Sequence, residues 1–111
     1  MGKWAREADF TKRFRGFLIP VRMIFNVRIL LPDLRDAYEA VISEEWDKLL
    51  RIAKRLRNDI QRLYEARIIS EDTKDILMSD VDGLESAAQT KDERLALVSI
   101  ANAFSELSRY L

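Results

Sequence analysis

Apolar residues recur every three or four positions through the middle of the chain, and this spacing constrains the fold more than any other feature. The residues are Trp46, Leu49, Ala53, Leu56, Ile60 and Leu63. Because an α-helix turns once every ~3.6 residues, the spacing places them on one face of a long helix. Ser43 is predicted to be the N-cap of this helix, and the acidic Glu44, Glu45 and Asp47 follow where the helix dipole favours negative charge.

The same periodicity predicts two helices before this one and no strand. The first covers about residues 9–26, and its apolar stripe is Phe10, Phe14, Phe17, Val21 and Ile24. Pro20 and Gly16 predict a kink in this helix, because the proline ring presses on the carbonyl of residue 16. A short second helix begins near Pro32. Its first turns carry Asp33 and Asp36, and its inward side is predicted to be Leu34, Tyr38 and Val41.

Two further helices are predicted after the central one. The fourth begins after Ser70 and has Gly83 as a candidate break, because glycine costs about 1 kcal/mol in a helix interior. Its apolar positions are Ile76, Leu77, Val81 and Leu84. The fifth opens with Thr90 and Glu93 as a capping-box pair. The residues expected to be buried on it are Leu97, Ile100, Ala101, Phe104, Leu107 and Leu111.

These patterns predict an all-α fold, a compact bundle of about five helices with a kinked first helix and a long central helix. The 111 residues suit a single domain over residues 1–111, with residues 1–8 as a loose N-terminal arm. Only three glycines and two prolines agree with a helix-rich chain. The apolar runs are much shorter than the roughly 20 residues of a membrane span, so we expect a cytoplasmic protein with no membrane partner.

The residue types present argue against an enzyme. The chain has no His and no Cys, so the commonest general base and the most nucleophilic side chain are missing. Glu44, Glu45 and Asp47 are better explained by helix-start electrostatics than by a metal site, since neighbouring positions point in different directions. The acidic stretch 71–85 lacks EF-hand spacing and is interpreted as an acidic surface. We therefore expect no catalytic residues, no metal and no cofactor.

Charge is divided unevenly along the chain. Residues 1–67 carry 15 Lys and Arg against 10 Asp and Glu, a net charge of +5, and residues 68–111 carry 4 against 9, a net charge of −5. Such a split indicates one surface for a polyanion and another for a cationic neighbour. The acidic side, residues 71–85, is a candidate contact for a neighbouring subunit, with an ordinary solvated face as the equal alternative.

The positive charge falls on helix flanks. Lys48, Arg51, Arg55 and Arg62 share one stripe of the central helix, and Lys12, Arg15 and Arg22 share a flank of the first. Such residues can contact phosphates without reading bases. The alternative is that they solvate outer faces and pair with acidic neighbours. Asp47 lies four positions from Arg51, and Asp59 lies four positions from Arg55, so each is a possible ion-pair partner. Arg15 and Arg62 have no acidic residue at that spacing.

Two segments resemble a known family. Residues 11–26, TKRFRGFLIPVRMIFN, are similar to the stretch that opens the core of the small subunit of CRISPR type III-A effector complexes. Residues 51–67, RIAKRLRNDIQRLYEAR, resemble the family's long basic helix that ends in Tyr64, Ala66 and Arg67. The C-terminal part is similar only in its helix-loop-helix layout and its final aromatic, Tyr110. The helical small subunit of type I-A complexes is the second match.

The resemblance implies a small non-catalytic protein of antiviral defence that stacks in several copies along a guide-RNA and target-RNA duplex. Its partners would be both RNAs, the backbone and large subunits, and copies of itself. Arg13, Arg15 and Arg67 are the strand contacts that the resemblance implies, and the others follow from helical geometry. The complete candidate set is Lys12, Arg13, Arg15, Arg22, Lys48, Arg51, Arg55, Arg62 and Arg67.

Two other functions stay open at this point. The break near Leu31 and Pro32 could precede a recognition helix of a small DNA-binding regulator, although Asp33 and Asp36 would repel phosphates. A structural adaptor could instead use the apolar seam of residues 46–63 to associate with other helices.

Overall fold

The computed structural model describes residues 26–111 and is all-helical over that range. Its four α-helices are α1 (Leu31–Ile42), α2 (Trp46–Glu65), α3 (Glu71–Thr90) and α4 (Glu93–Leu107). Short 3-10 helices precede and follow them at Val27–Leu30 and Ser108–Tyr110. The predicted all-α class is confirmed for these residues. The first predicted helix, its kink and the arm of residues 1–8 lie outside the described residues.

The four helices form a closed ring. Helix α1 contacts both α2 and α4, α2 contacts α3, and α3 contacts α4. The connections at residues 43–45, 66–70 and 91–92 are short, which makes successive helices antiparallel in an up-down-up-down arrangement. The long central helix is confirmed as α2, and α3 matches it in length, with 20 residues each.

The core forms around the apolar face of α2. Each of its buried residues is at most 2% exposed, and they are Leu49, Ile52, Ala53, Leu56, Ile60 and Leu63. The predicted 3-4 spacing is therefore confirmed, except that Trp46 at the first turn is only partly buried. Ile52 joins the face because it falls between Leu49 and Leu56 on the helix surface.

Two predicted helix starts are wrong, because each of the two residues lies at the end of the preceding helix. Ser43 is the C-cap of α1, and α2 begins at Trp46 after Glu45. Thr90 is the last residue of α3, and its hydroxyl donates to the carbonyl of Ser86 at 2.9 Å. The Asp92 side chain caps α4 instead, accepting from the Leu95 amide at 3.0 Å. The Ser70 cap of α3 is confirmed.

Helices α1, α2 and α3 each end with a residue in the left-handed conformation. These are Glu44, Arg67 and Lys91, with φ values of 57°, 61° and 57°. After α1, the Glu45 amide donates to the Ala40 carbonyl at 2.8 Å and the Glu44 amide to the Val41 carbonyl at 3.0 Å. This is the Schellman pattern that satisfies the last helix carbonyls. Because the sequence has no glycine at these positions, it gave no sign of them.

The outward side of two helices differs from the prediction. Leu34 and Val41 of α1 are buried as expected, but Tyr38 is 50% exposed. Ile76 of α3 is likewise exposed, whereas Leu77 of the same helix is buried. In both cases the helix turns a different part of its apolar stripe toward the ring, and alanines fill the inward positions of α1 at 37 and 40.

The buried face of α4 is the largest correction. Ala101, Phe104 and Leu111 are exposed, and Leu97 and Ile100 are only partly buried; Leu107 alone is buried as predicted. The inward positions are instead Ala96, Ser99, Ala103, Glu106 and Leu107. Ala96, Ser99 and Ala103 among these are small, and α3 approaches α4 closely at Ser99.

Gly83 lies at that close approach. Helix α3 runs through it without a break, so the predicted interruption is wrong. A Cβ atom added at Gly83 would collide with the Ser99 side chain of α4. The glycine is therefore explained by helix packing and not by helix termination.

No helix between residues 26 and 111 is both long enough and apolar enough to cross a bilayer.

A substitution at Gly83 tests this packing. We expect Gly83→Val to lower the free energy of unfolding by about 1–3 kcal/mol, because the added atoms overpack the α3 and α4 contact. Urea denaturation followed by circular dichroism measures this change. Ser86→Val at an exposed position of the same helix is the control and should change stability by no more than about 0.5 kcal/mol. Equal stability of the two variants would contradict the close packing.

Candidate nucleic-acid interface

Four of the predicted site residues lie together on one exposed side of α2. Lys48, Arg51, Arg55 and Arg62 form what we call the α2 basic flank, and all of them are exposed. The flank borders α1, since Arg55 reaches carboxylates of that helix. The structure thus confirms the shared stripe. Lys12, Arg13, Arg15 and Arg22 lie outside the described residues.

Arg55 links α2 to α1. Its guanidinium donates to Asp33 Oδ1 at 2.9 Å and lies 4.0 Å from Asp36 Oδ2. The Asp33 side chain is only 13% exposed, so this pair is partly shielded from water. Asp59, predicted as a partner of Arg55, forms its ion pair with Arg62 instead. Arg55 therefore holds two helices together.

The flank also contains short-range pairs within α2 and its N-terminal turn. Arg62 lies 3.3 Å from Asp59, and Lys48 lies 3.7 Å from Glu45. Arg62 has no acidic residue four positions away, as the sequence indicated, and its partner Asp59 lies three positions away instead. Burial raises the pKa of the Asp59 carboxyl, the Asp33 charge raises it further, and Arg62 and Arg55 lower it.

Arg51 stands apart from these pairs. Within residues 26–111 it has no ion pair within 4.0 Å. It lies beside an open depression of about 860 Å³ that Trp46, Lys48 and Lys91 also line. Acidic Glu44, Glu45 and Asp47 share that depression, so its charge is mixed. Among the described residues, Arg51 is therefore the one flank cation without an ion pair within 4.0 Å.

Arg67 lies apart from the flank. It follows the end of α2, where its left-handed backbone forms the C-terminal turn. The Arg67 amide donates to the Tyr64 carbonyl at 2.9 Å, and the side chain is exposed beside a separate depression. The structure accordingly shows a helix-terminating role for the backbone of Arg67, and it does not bring this residue together with the flank.

Part of the acidic stretch 71–85 is used inside the bundle. Asp82 and Glu85 of α3 accept from Arg57 of α2 at 2.6 and 2.8 Å. These contacts raise the pKa of the Arg57 guanidinium, first through Asp82 and then through Glu85. Arg57 was not among the predicted residues, although its position opposite the basic flank on the helix could have indicated a different role.

The interpretation of residues 71–85 as an acidic surface is wrong for Asp80, which is buried. It is 9% exposed, and its Oδ2 has no hydrogen-bond partner among residues 26–111. Burial, followed by the negative charge of Glu106, raises the pKa of Asp80 to about 6. The sequence did contain a signal, because Asp80 lies three residues after the buried Leu77 and four before the buried Leu84.

Glu106 of α4 belongs to a small polar cluster at this end of the core. Its Oε2 accepts from the Thr73 hydroxyl at 2.8 Å and from Arg109 at 3.1 Å. The Tyr110 hydroxyl lies 2.9 Å from Thr73 Oγ1, and this contact lowers the pKa of Tyr110. The cluster ties the C-terminal 3-10 helix to the start of α3. Residues 26–111 contain no group of three or more acidic side chains placed to hold a metal ion.

Comparisons of the chain with protein-family models, with curated proteins and with solved structures give no significant match.

Charge reversal at Arg55 tests its structural role. We expect Arg55→Glu to lower the free energy of unfolding by about 1–2 kcal/mol, because a carboxylate would replace the partner of the partly buried Asp33. Urea denaturation at low salt measures this. Arg51→Glu is the matched control, and we expect it to stay within about 0.5 kcal/mol of the wild type. Equal losses in both variants would show that Arg55 does not link the helices.

The pH dependence of stability tests the buried Asp80. Because its folded pKa lies above the ordinary value of about 4, the folded protein binds the proton more tightly than the unfolded chain. That contribution is complete below pH 4 and is lost as the pH rises through about 6, a total of about 2–3 kcal/mol. Urea denaturation between pH 4 and 7 should show this fall, and Asp80→Asn should remove it.

The exposed Asp75→Asn on the same helix is the control for Asp80. It should retain the fall in stability between pH 4 and 7. If Asp80→Asn and the wild type have parallel pH profiles, then Asp80 is not the titrating group.

Proposed function

We propose that this chain is a non-catalytic RNA-binding subunit of a CRISPR effector complex in antiviral defence. Several copies would stack along the guide and target duplex, beside backbone subunits and a large subunit, in the cytoplasm. The observation that carries the proposal is the α2 basic flank, in which four cations share one exposed side of a single helix. The resemblance of residues 11–26 and 51–67 to the CRISPR small subunits selects this class of complex.

The dimensions of the flank suit a nucleic-acid backbone. Lys48 and Arg62 are 14 positions apart, which corresponds to about 21 Å along a helix. A row of cations of this length can contact several successive phosphates of one strand. Phosphate contacts of this kind position a strand without reading its sequence, as a subunit that binds any target requires.

The ion pairs on the flank assign different roles to its members. Arg51 has no ion pair among residues 26–111, and Lys48 has only a 3.7 Å contact with the exposed Glu45. These two are therefore the primary phosphate contacts in the proposal. Arg62 can exchange its exposed pair with Asp59 for a phosphate, because such pairs contribute only about 0–1 kcal/mol. Arg55 supports the flank by joining α1 to α2.

A helical adaptor is the second candidate function, and one observation favours it. Tyr38 of α1 and Phe104 of α4 are both half-exposed on neighbouring helices. The adaptor cannot use the seam of residues 46–63, however, since Leu49, Leu56 and Leu63 of that seam are buried inside the bundle. For a DNA-binding regulator, Asp33 and Asp36 of α1 place negative charge beside the basic flank, which disfavours α1 as a recognition helix.

RNA binding by variants of the full chain tests the proposal. We expect Lys48→Glu/Arg51→Glu to bind a long single-stranded RNA more weakly than the wild type in an electrophoretic mobility assay. Measured over a series of salt concentrations, the slope of log K against log salt should fall by about 1.4, since each single-strand phosphate contact contributes about 0.7. The long RNA admits several adjacent copies, which raises a weak single-site affinity.

Two controls accompany this experiment. Arg94→Glu reverses one exposed charge on α4, which is not part of the flank, and should leave the salt slope unchanged. Circular dichroism should show the same helix content in all variants. Equal RNA affinity of Lys48→Glu/Arg51→Glu and Arg94→Glu would overturn the proposal, and stronger binding of duplex DNA than of RNA would favour the regulator.

A further inference from the structure

An open depression of about 480 Å³ lies between α3 and α4 on the outside of the bundle. Three carboxylates line it, Asp75 and Asp80 of α3 and Glu106 of α4. No Lys or Arg is found among the described residues around it. We call this feature the acidic depression, and it shares no residue with the α2 basic flank.

The carboxylate of Asp80 has no partner in the described part of the chain. It is 9% exposed, and neither of its oxygens forms a hydrogen bond or an ion pair with residues 26–111. Burial and then the negative charge of Glu106 raise its pKa to about 6, so the carboxylate is still mainly ionised at neutral pH. Buried charges in proteins are normally paired, because an unpaired one is strongly unfavourable. A cation is therefore the partner that Asp80 requires.

A ligand in the acidic depression can reach this carboxylate. Only Oδ2 of Asp80 is closed off from solvent, and the residue lines the depression. Oδ1 is therefore the oxygen that meets an incoming donor. The torsion about the last bond of an aspartate side chain is broad and nearly two-fold, so rotation exchanges the two oxygens without displacing the helix.

The other two carboxylates add negative charge to the site. Asp75 is 64% exposed, and its contact with Lys74 at 3.5 Å is an exposed pair of the kind that contributes little to stability. Glu106 is buried and already accepts from the Thr73 hydroxyl and from Arg109. Among residues 26–111, Asp80 is thus the one carboxylate of the three without a partner, and its neighbours strengthen its attraction for a cation.

The residues of the depression favour an organic cation over a metal ion. Between residues 26 and 111 no three acidic side chains are placed to hold a metal. The depression instead offers neutral oxygens on Ser79, Asn102 and Ser105. It also offers an apolar contact on Ile76, which is 42% exposed.

A guanidinium group suits this mixture of contacts. Its planar fork carries five donors, and it is less strongly hydrated than an ammonium group, so its transfer to a partly buried site is less unfavourable. The methylene groups of an arginine side chain also need an apolar surface, which Ile76 supplies.

The charge around the depression favours a protein as the source of this group. Residues 68–111 carry 4 Lys and Arg against 9 Asp and Glu, a net charge of −5. Such a surface repels the phosphates of a nucleic acid and attracts a basic protein surface. Asp82 and Glu85 are already paired with Arg57 of α2, whereas the acidic depression is open to solvent.

We infer that the acidic depression binds an exposed arginine of a partner protein, with the guanidinium paired to Asp80 and the aliphatic stem on Ile76. Asp75 and Glu106 supply the negative potential that attracts this arginine. The inference replaces a general contact surface over residues 71–85 with one defined site, and it does not depend on the proposed RNA binding.

Binding of a short arginine peptide to the full-length chain tests the inference by NMR. The probe is acetyl-Ala-Arg-Ala-amide, and its control is the same peptide with citrulline, which keeps the shape of arginine without its charge. We expect the arginine peptide to shift the amide resonances of Ser79, Asp80 and Asn102 at low salt, and the citrulline peptide to leave them unchanged. Equal responses to the two peptides, or no response to either, would overturn the inference.

Two variants show whether Asp80 is the residue that binds the arginine. Asp80→Asn keeps the size of the side chain and should weaken binding of the arginine peptide about tenfold or more, as expected for the loss of a hydrogen bond between charged groups. Glu93→Gln removes an exposed carboxylate at the start of α4, outside the depression, and should leave the affinity unchanged. Circular dichroism should show the same helix content in both. Equal affinities of the two variants would contradict the assignment.

The pKa of Asp80 is an independent measurement that needs no variant. Carboxyl carbon NMR of the free full-length chain should show that Asp80 titrates at about pH 6, and saturating arginine peptide should lower this pKa, because a nearby cation favours the ionised form. A pKa at or below the ordinary value of about 4 in the free chain would show that the chain itself supplies the cation. That result, or a pKa that the peptide does not change, would overturn the inference.

Discussion

Burial of the apolar face of α2 is the interaction on which the rest of the structure depends. Leu49, Leu56, Ile60 and Leu63 are at most 2% exposed and lie inside the ring of helices. Each residue of a helix is rotated by about 100° from the one before it. Once the apolar face of α2 points inward, the direction of every polar residue on α2 is therefore also fixed. The basic flank therefore lies beside α1, and Arg57 lies beside α3. Core packing thus determines which cations of α2 face solvent.

Some of the charges that make the first part of the sequence basic and the second part acidic are paired or buried inside the bundle. Arg57 from the basic part pairs with Asp82 and Glu85 from the acidic part, and Asp80 is buried near Glu106. Arg55 pairs with Asp33, which belongs to the basic part itself. A count of charges along the chain could not distinguish these internal partners from a surface for another molecule. Within the flank, that distinction leaves Lys48 and Arg51 as its most available cations.

Features that depend on a few consecutive residues were predictable, and features that depend on a neighbouring helix were not. The Ser70 cap, the start of α1 near Pro32 and the buried face of α2 follow from local spacing and are confirmed. The starts at Ser43 and Thr90 are wrong because Ser43 caps the end of α1 and Thr90 is the last residue of α3, and a non-glycine residue in the left-handed conformation follows each of them. The Arg55 and Asp33 pair spans 22 positions and has no signature in local spacing.

The sequence by itself determined that the chain folds as helices, approximately where they lie, and that four cations share one side of α2. Only the tertiary structure decided which face of α4 is buried. That helix has a large apolar side, including Phe104, and a small one, including Ser99. The apolar spacing in the sequence predicts that the side with the large residues is buried, because it depends on hydrophobicity alone. It contains no information on how closely a neighbouring helix approaches. The close approach of α3 at Gly83 leaves room only for the small side, and this turns the large residues outward, beside Tyr38 of α1.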